Sequence, residues 1–185
     1  SLLVEGGSDR VLLTSRSGRV MRDGQGLEAR LRSISQGAAV VACDSAEIRD
    51  AGALLSGRSP LGVLYAMGSS DAGLLMELEA HRIEWMCGPK AVGAWYMQSA
   101  CTTPIETLVL FSSVGSGLAY RGQGNYSASN AWLDAQALSL RLEGVASSSM
   151  QWPHVSGAGV GAEAGAFHRA LWSGCVSLLP PYQLP

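Results

Sequence analysis

Short, nearly continuous apolar runs alternate along this chain with longer segments whose apolar positions recur every three or four residues. The runs are RVLLTS at 10–15, AAVVAC at 38–43, LGVLYAM at 61–67, IETLVLFS at 105–112 and the more polar ASSSMQW at 146–152. Each is short for a helix, and most stop at a polar residue or glycine, so each reads as a buried strand. Between them, 24–35 places Leu27, Leu31 and Ile34 on one helical face. Residues 46–55, 72–79, 83–101 and 124–143 also read as helical, with a break near His81 and a kink at Pro89. The opening SLLVEGG reads as the last turn of a helix ending at Gly6-Gly7, and a short helix is expected around 164–171. No secretory leader is visible at the start, and the chain is expected to be a fragment of a longer polypeptide. Strands alternating with helices predict an α/β fold, a parallel sheet with helices on both faces. No linker or repeat divides residues 1–185, so one domain is expected.

Composition agrees with that architecture. Hydrophobic residues make up 47% of the 185 and charged ones only 15%, and 23 residues are glycine, which suits buried strands joined by tight turns. A net charge of −2 with no basic stripe argues against a nucleic-acid partner. No apolar run reaches the roughly 20 residues of a membrane span. Cys43, Cys87, Cys101 and Cys175 lack C-x-x-C spacing, and His81, His154 and His168 form no ligand-spaced cluster with them. The cysteines read as small buried apolar residues of a reducing compartment, and no metal site is expected. That places the protein inside the cell, in the cytoplasm first, with an organelle as the alternative. Twelve arginines stand against a single lysine, Lys90. Lys90 is thus a candidate for a position where arginine would not serve.

Candidate chemistry gathers between Val109 and Asp134, where a strand runs into a polar turn, a glycine-rich loop and a helix. Ser113 ends the strand, while Tyr126 and Asn130, four apart, share a helix face. A serine, a tyrosine and an asparagine so placed can surround a carbonyl oxygen. A tyrosine hydroxyl is a weak acid at neutral pH, and a neighbouring ammonium favours its ionised form. Lys90 is the one lysine able to do this. Arg16, Asp44, Gly68 and Ser113 all fall at strand C-terminal ends, the edge where such sheets bind ligands.

With GPKAVGAW at 88–95, LVLFSS at 108–113, GQGNYSASNAWLDA at 122–135 and Gln151-Trp152, the chain resembles the ketoreductase domains of modular polyketide synthases. These belong to the short-chain dehydrogenase/reductase superfamily. RVLLTSRSG at 10–18 resembles the family's second strand with its phosphate-binding arginine, and VVACDSAE at 40–47 its adenine-contacting segment. A Leu-Pro-Pro near the end also recurs in the family. The resemblance implies a Rossmann-like doubly wound parallel sheet. It also implies that Lys90, Ser113, Tyr126 and Asn130 are catalytic. Tyr126 would protonate a β-carbonyl oxygen as hydride arrives from NADPH, Ser113 would hydrogen-bond that oxygen, and Lys90 and Asn130 would complete the proton relay. Arg16 would face the 2′-phosphate of NADPH, Asp44 the adenine, and Ala66 to Gly68 the cofactor's sugar region. The implied substrate is a β-ketoacyl chain on the phosphopantetheine arm of an acyl carrier protein.

Several positions depart from the family pattern. The first strand and its Gly-rich pyrophosphate loop are missing from these 185 residues. The Leu-Asp-Asp that marks one stereochemical class is Ser70-Asp71-Ala72, and Leu118 replaces the tryptophan of the other class, so stereochemistry is not assigned. Trp152-Pro153-His154 stands for the usual Trp-Gly-Pro, and Tyr65 for a frequent histidine. The missing loop motivates a rival reading: a reductase-derived domain kept as an inactive structural subunit, partnered by other domains or subunits of a larger assembly. Asparagine at 130, where ordinary members of the superfamily carry lysine, argues against a dehydrogenase of free small alcohols.

Overall fold

The structure is a computed structural model that describes residues 3, 6–8, 10–20, 26–33, 37–69, 71–118 and 121–153. Strands and helices alternate as the pattern predicts. In order they are β1 (Val11–Ser15), α1 (Leu27–Ser33), β2 (Ala38–Ala42), α2 (Ile48–Leu55) and β3 (Gly62–Tyr65). Then come α3 (Ala80–Cys87), a widened π turn (Gly88–Val92), α4 (Gly93–Ser99), β4 (Thr107–Ser113), α5 (Gly115–Leu118), α6 (Gly124–Leu142) and β5 (Ser147–Trp152). All strand pairings are parallel: β1 with β2, and β4 between β3 and β5. Ser8 N–H donates to the Leu3 carbonyl (2.9 Å), closing the turn at Gly6-Gly7 that the sequence marks as a helix end. The helix expected around 164–171 lies outside the described residues.

The parallel sheet with flanking helices is Rossmann-like, as expected, but it is hydrogen-bonded in two pieces, β1–β2 and β3–β4–β5. Among the described residues no strand pairs with both. The two pieces are enclosed unequally. β4 buries Leu108, Leu110, Ser112 and Ser113, whereas β1 leaves Leu12 and Leu13 exposed, and α1 buries nothing. One apolar cluster nevertheless joins them, running from Cys43, Ala51, Leu54 and Leu55 through Tyr65, Ala94 and Met97 to Leu108, Leu110, Leu133, Ala137 and Leu140.

Two helical expectations need correction. Residues 72–79 do not form a helix: Gly73 bridges to Gln123 beside α6, its N–H donating to the Gly122 carbonyl (2.8 Å), and only Leu75–Glu77 make one 3₁₀ turn. Bonding across to another element removes Gly73 from the local ladder, an outcome that propensity cannot anticipate. The break near His81 is also absent, since helical backbone runs from Ala80 to Ser99. Its irregularity falls at Pro89, as expected, but as a π turn rather than a kink. Proline has no N–H for the carbonyl of Trp85, and the widened turn absorbs the lost bond.

Local chemistry explains the two helices that matter most. In α6 the buried positions Asn130, Leu133, Ala137 and Leu140 recur at helical spacing and face β4 and β5. Truncating Leu133, which is fully buried, to alanine should cost about 2–5 kcal/mol. The helix stops at Gly144, whose φ of 86° suits glycine, while Val145 N–H returns to the Leu140 carbonyl (2.9 Å). In α4, a Cβ on Gly93 would collide with the Tyr65 hydroxyl and come within 2.9 Å of the Ser45 carbonyl oxygen and hydroxyl. Only glycine lets α4 approach β3 this closely.

Candidate active site

The π turn exists at a place that matters, because it carries Lys90. The Tyr65 hydroxyl, buried on β3, donates to the carbonyl of Pro89 and fixes the turn from below. Burial pushes the Tyr65 hydroxyl pKa up, which keeps it a neutral donor. Lys90 is thereby turned inward until only 4% of it is exposed. Its ammonium donates to Asn130 Oδ1 (2.9 Å) and to the Phe111 carbonyl on β4 (3.3 Å), and stands 5.7 Å from the centre of the Tyr126 ring. Asn130, fully buried, donates through Nδ2 to the Tyr126 carbonyl (2.8 Å). The Ser112 hydroxyl donates to the Asn130 carbonyl (3.2 Å) and so ties the same turn of α6 to β4. Ser113 ends β4, with its hydroxyl oxygen accepting Gly115 N–H (3.1 Å). A hydroxyl that accepts this way still has its O–H to donate.

Burial lowers the Lys90 pKa from 10.5 to about 8, with the Asp134 carboxylate opposing that shift. Desolvation disfavours the ammonium, and two hydrogen bonds and a ring face do not replace its water. An amine that titrates this close to neutrality can both hold and give up a proton. The arrangement thus gathers a tyrosine, a lysine and an asparagine around one turn of α6, beside the strand end that carries Ser113. Groups of these types, so placed, can hold and deliver a proton.

Three groups of residues escaped the sequence reading. Asp71 receives Arg82 through two bonds (Nε 3.1 Å, Nη2 2.6 Å) and Asn125 Nδ2 (2.8 Å). Asn125 Oδ1 in turn accepts the N–H of Tyr126 (2.8 Å), so this lock leads to the first turn of α6. The Arg82 guanidinium beside Asp71 holds its carboxyl below the usual carboxylate range. Asp134, one turn past Asn130, accepts Ser116 (2.6 Å), Ser149 (2.5 Å) and Gln151 (2.8 Å). Tyr65 is the third. The i+4 spacing from Asn130 is a signal that could have found Asp134, but no pattern links Arg82 to Asp71 across eleven residues.

The nucleotide-facing candidates are placed differently. Arg16 is exposed just after β1, and Ala66 and Gly68 are exposed just after β3. Asp44 follows β2, accepts Ala46 N–H (3.0 Å) and is half-buried. Parallel pairing of β3 with β4 brings Ala66 and Gly68 to the edge where Ser113 lies, and that of β1 with β2 brings Arg16 and Asp44 to one edge of their own piece; among the described residues no hydrogen bond or ion pair joins any of the four to the Lys90 cluster. A Cβ on Gly68 would meet nothing within 4 Å, so the backbone there is open to a ligand. For a dinucleotide, the residues present fit the adenosine end and the reacting end. Among the described residues none forms a Gly-rich cradle for the pyrophosphate. No cluster of three or more metal-ligating side chains occurs among them either.

A family model for the KR domain matches residues 1–157. The chain belongs to the ketoreductase domain family of polyketide synthases. Among curated relatives, polyketide synthase GfsA of Streptomyces halstedii is 37% identical over 153 residues, which is 80% of this chain and 2% of that protein. Erythronolide synthase EryA2 of Saccharopolyspora erythraea is 33% identical over 154 residues, 82% of this chain and 4% of that synthase. This ketoreductase domain thus spans only a few per cent of the relatives it matches. Among solved structures, the first ketoreductase of the tylosin polyketide synthase superposes with a TM-score of 0.74 at 32% identity, covering 85% of this chain and 36% of that one. The ketoreductase from the first phoslactomycin module of Streptomyces sp. HK803 gives 0.78 at 27%, covering 89% and 40%.

Proposed function

We propose that this ketoreductase domain carries the acid–base half of an NADPH-dependent reduction of a β-ketoacyl thioester held on an acyl carrier protein. The observation that carries the reading is the buried Lys90 ammonium, bonded to Asn130 and standing over the Tyr126 ring. NADPH, when bound, supplies the hydride. Arg16 would hold its 2′-phosphate, since a guanidinium fork suits phosphate, with Asp44 near the adenine and Ala66 and Gly68 along the sugar. Ser113 orients the β-carbonyl oxygen. Tyr126 gives that oxygen its proton through the phenolic O–H, and Lys90, linked through Asn130, restores the proton. The Gly-rich loop and its strand would come from polypeptide outside these 185 residues, as part of one domain with them. Other domains of the assembly would present the carrier protein.

The test uses the full polypeptide that contains these residues. It should consume NADPH in the presence of a β-ketoacyl thioester, and Tyr126→Phe should abolish turnover while leaving the circular-dichroism spectrum and melting temperature unchanged. A Tyr126→Phe variant that turns over at the wild-type rate sinks the mechanism. One observation favours a second reading, a structural subunit without catalysis: the sheet is hydrogen-bonded in two pieces, with β1 largely exposed. On that reading, titration with NADPH raises the melting temperature of the full polypeptide not at all.

A further inference from the structure

We propose that Asp134 is a positioning residue of this site: a carboxylate one turn beyond Asn130 that anchors the reactive face of α6 to α5 and β5 and supplies the negative charge opposite Lys90. The inference deepens the reductase reading and rests on it for its catalytic consequence. Tyr126, Asn130 and Asp134 lie four apart along α6 and share one face. Asp134 is held from two sides, by Ser116 of α5 on Oδ2 (2.6 Å) and by Ser149 of β5 on Oδ1 (2.5 Å). Gln151 Nε2 bonds both Asp134 Oδ2 (2.8 Å) and the Ser116 hydroxyl (2.9 Å), which closes the network. Every one of these partners is a neutral donor. Hydrogen bonds from neutral donors favour the ionised carboxylate without neutralising its charge.

Lys90 Nζ bonds Asn130 Oδ1 (2.9 Å), which sets Asp134, one turn further along the same face, on the side of the ammonium. β4, β5 and α5, which pack around the pair, carry no ionisable side chain. Tyr65 of β3 is turned to the Pro89 carbonyl, Glu84 of α3 is exposed, Cys87 is half-buried, and Tyr126 presents its ring to the ammonium. Burial acts to raise the Asp134 carboxyl, and the bonds from Ser116, Ser149 and Gln151 outweigh it, holding the group below the usual carboxylate range. Asp134 is therefore ionised throughout the range in which Lys90 titrates. Its charge favours the ammonium, against the desolvation that disfavours it.

The experiment follows the [13Cε]-lysine resonance of Lys90 through a pH titration of the full polypeptide, assigned by its loss in Lys90→Arg. In Asp134→Asn the midpoint should move to lower pH, so that the protonated fraction at the wild-type midpoint falls about twofold or more. Asp134→Glu, which keeps the charge, should restore most of the wild-type midpoint. An unchanged or raised midpoint in Asp134→Asn overturns the proposal. Should Asp134→Asn fail to fold, Ser116→Ala with Ser149→Ala strips donors while keeping the carboxylate. In that variant Lys90 should titrate as in wild type, and a downward move would show that the network matters and the charge does not. The alkaline limb of the kcat profile should shift with the resonance. If the resonance shifts and kcat does not follow, the role given to Lys90 in catalysis falls while that of Asp134 stands.

Discussion

β4 and β1 both end in a polar residue that the reductase reading uses, Ser113 and Arg16, yet they are built into the molecule in different ways. β4 lies between two parallel neighbours, buries Leu108 and Leu110 and packs under α6. Among the described residues β1 has one neighbour and buries none of its side chains, and α1 after it buries none either. Around β4 each reactive group is held by others: Lys90 by Asn130 and Phe111, Asn130 by Tyr126, and the turn bearing Lys90 by Tyr65. On the proposed reading, the acid–base half is therefore preorganised by contacts within this chain, whereas of the nucleotide-facing residues Asp44 is held by Ala46 N–H and Arg16 is exposed. Preorganisation is what makes polar groups catalytic rather than merely polar.

Tyr126 carries the largest expected effect. Removing its hydroxyl should lower kcat by about 10²–10⁴-fold, the usual worth of a positioned acid. The dissociation constant for NADPH should not change, because the nucleotide half is untouched. Stopped-flow turnover and cofactor fluorescence titration separate the two quantities. A comparable loss in both would mean that the halves are not independent.

Lys90→Met should come next, with kcat down about 10²-fold. Stability should move the other way with pH. The folded chain holds the Lys90 pKa at about 8, below its ordinary 10.5, so the buried charge costs stability below about 8. That cost is relieved as pH rises towards 10.5, where the unfolded chain also loses the proton. The stability difference between Lys90→Met and wild type should therefore shrink between those pH values by up to about 3 kcal/mol. Urea unfolding at pH 7 and pH 10.5 measures it, and a difference independent of pH would mean that Lys90 is not buried as an ammonium.

Arg16→Ala sharpens the other side. It should raise the KM for NADPH about tenfold, with little effect on kcat or on the KM for NADH, as expected for a lost phosphate contact. An equal rise for both nucleotides would remove Arg16 from the 2′-phosphate.

These differences also bear on what the sequence could disclose. Strand and helix order was legible because β1 to β4 are apolar runs and the apolar positions of α2 and α6 recur at helical spacing, signals carried by each segment alone. Lys90, Tyr126 and Asn130 were legible because their order and residue types are distinctive, and the fold then brought Lys90 within 2.9 Å of Asn130 across forty positions. Residues 72–79 misled because their fate is set by a bond from Gly73 to Gly122, forty-nine positions away, rather than by local preference. The π turn was half-legible: Pro89 announced an irregularity, but its form depends on the Tyr65 hydroxyl beneath it. The division of the sheet was legible only through the family resemblance: the family's first strand is missing from these residues, which leaves the sheet without a central strand.

Arg82→Ala carries the smallest expected effect on rate and tests whether the acid–base half reaches beyond its buried core. The Arg82–Asp71–Asn125 lock touches neither Lys90 nor Ser113; it ends on the N–H of Tyr126. Losing the guanidinium should loosen the first turn of α6 and lower kcat by a few-fold, with the substrate KM nearly unchanged, because a small misplacement of a reacting group weakens its transition-state contact. The effect on stability has a definite sign. Arg82 holds the Asp71 carboxyl below its ordinary range, so this pairing stabilises the fold above the unfolded value of about 3.9 and is lost as pH falls through the folded one. Wild type should therefore be more stable than Arg82→Ala at pH 7, and the two should converge in more acidic solution. Parallel unfolding curves that keep their separation down to about pH 2 would show that Arg82 acts through packing along its stem and not through Asp71.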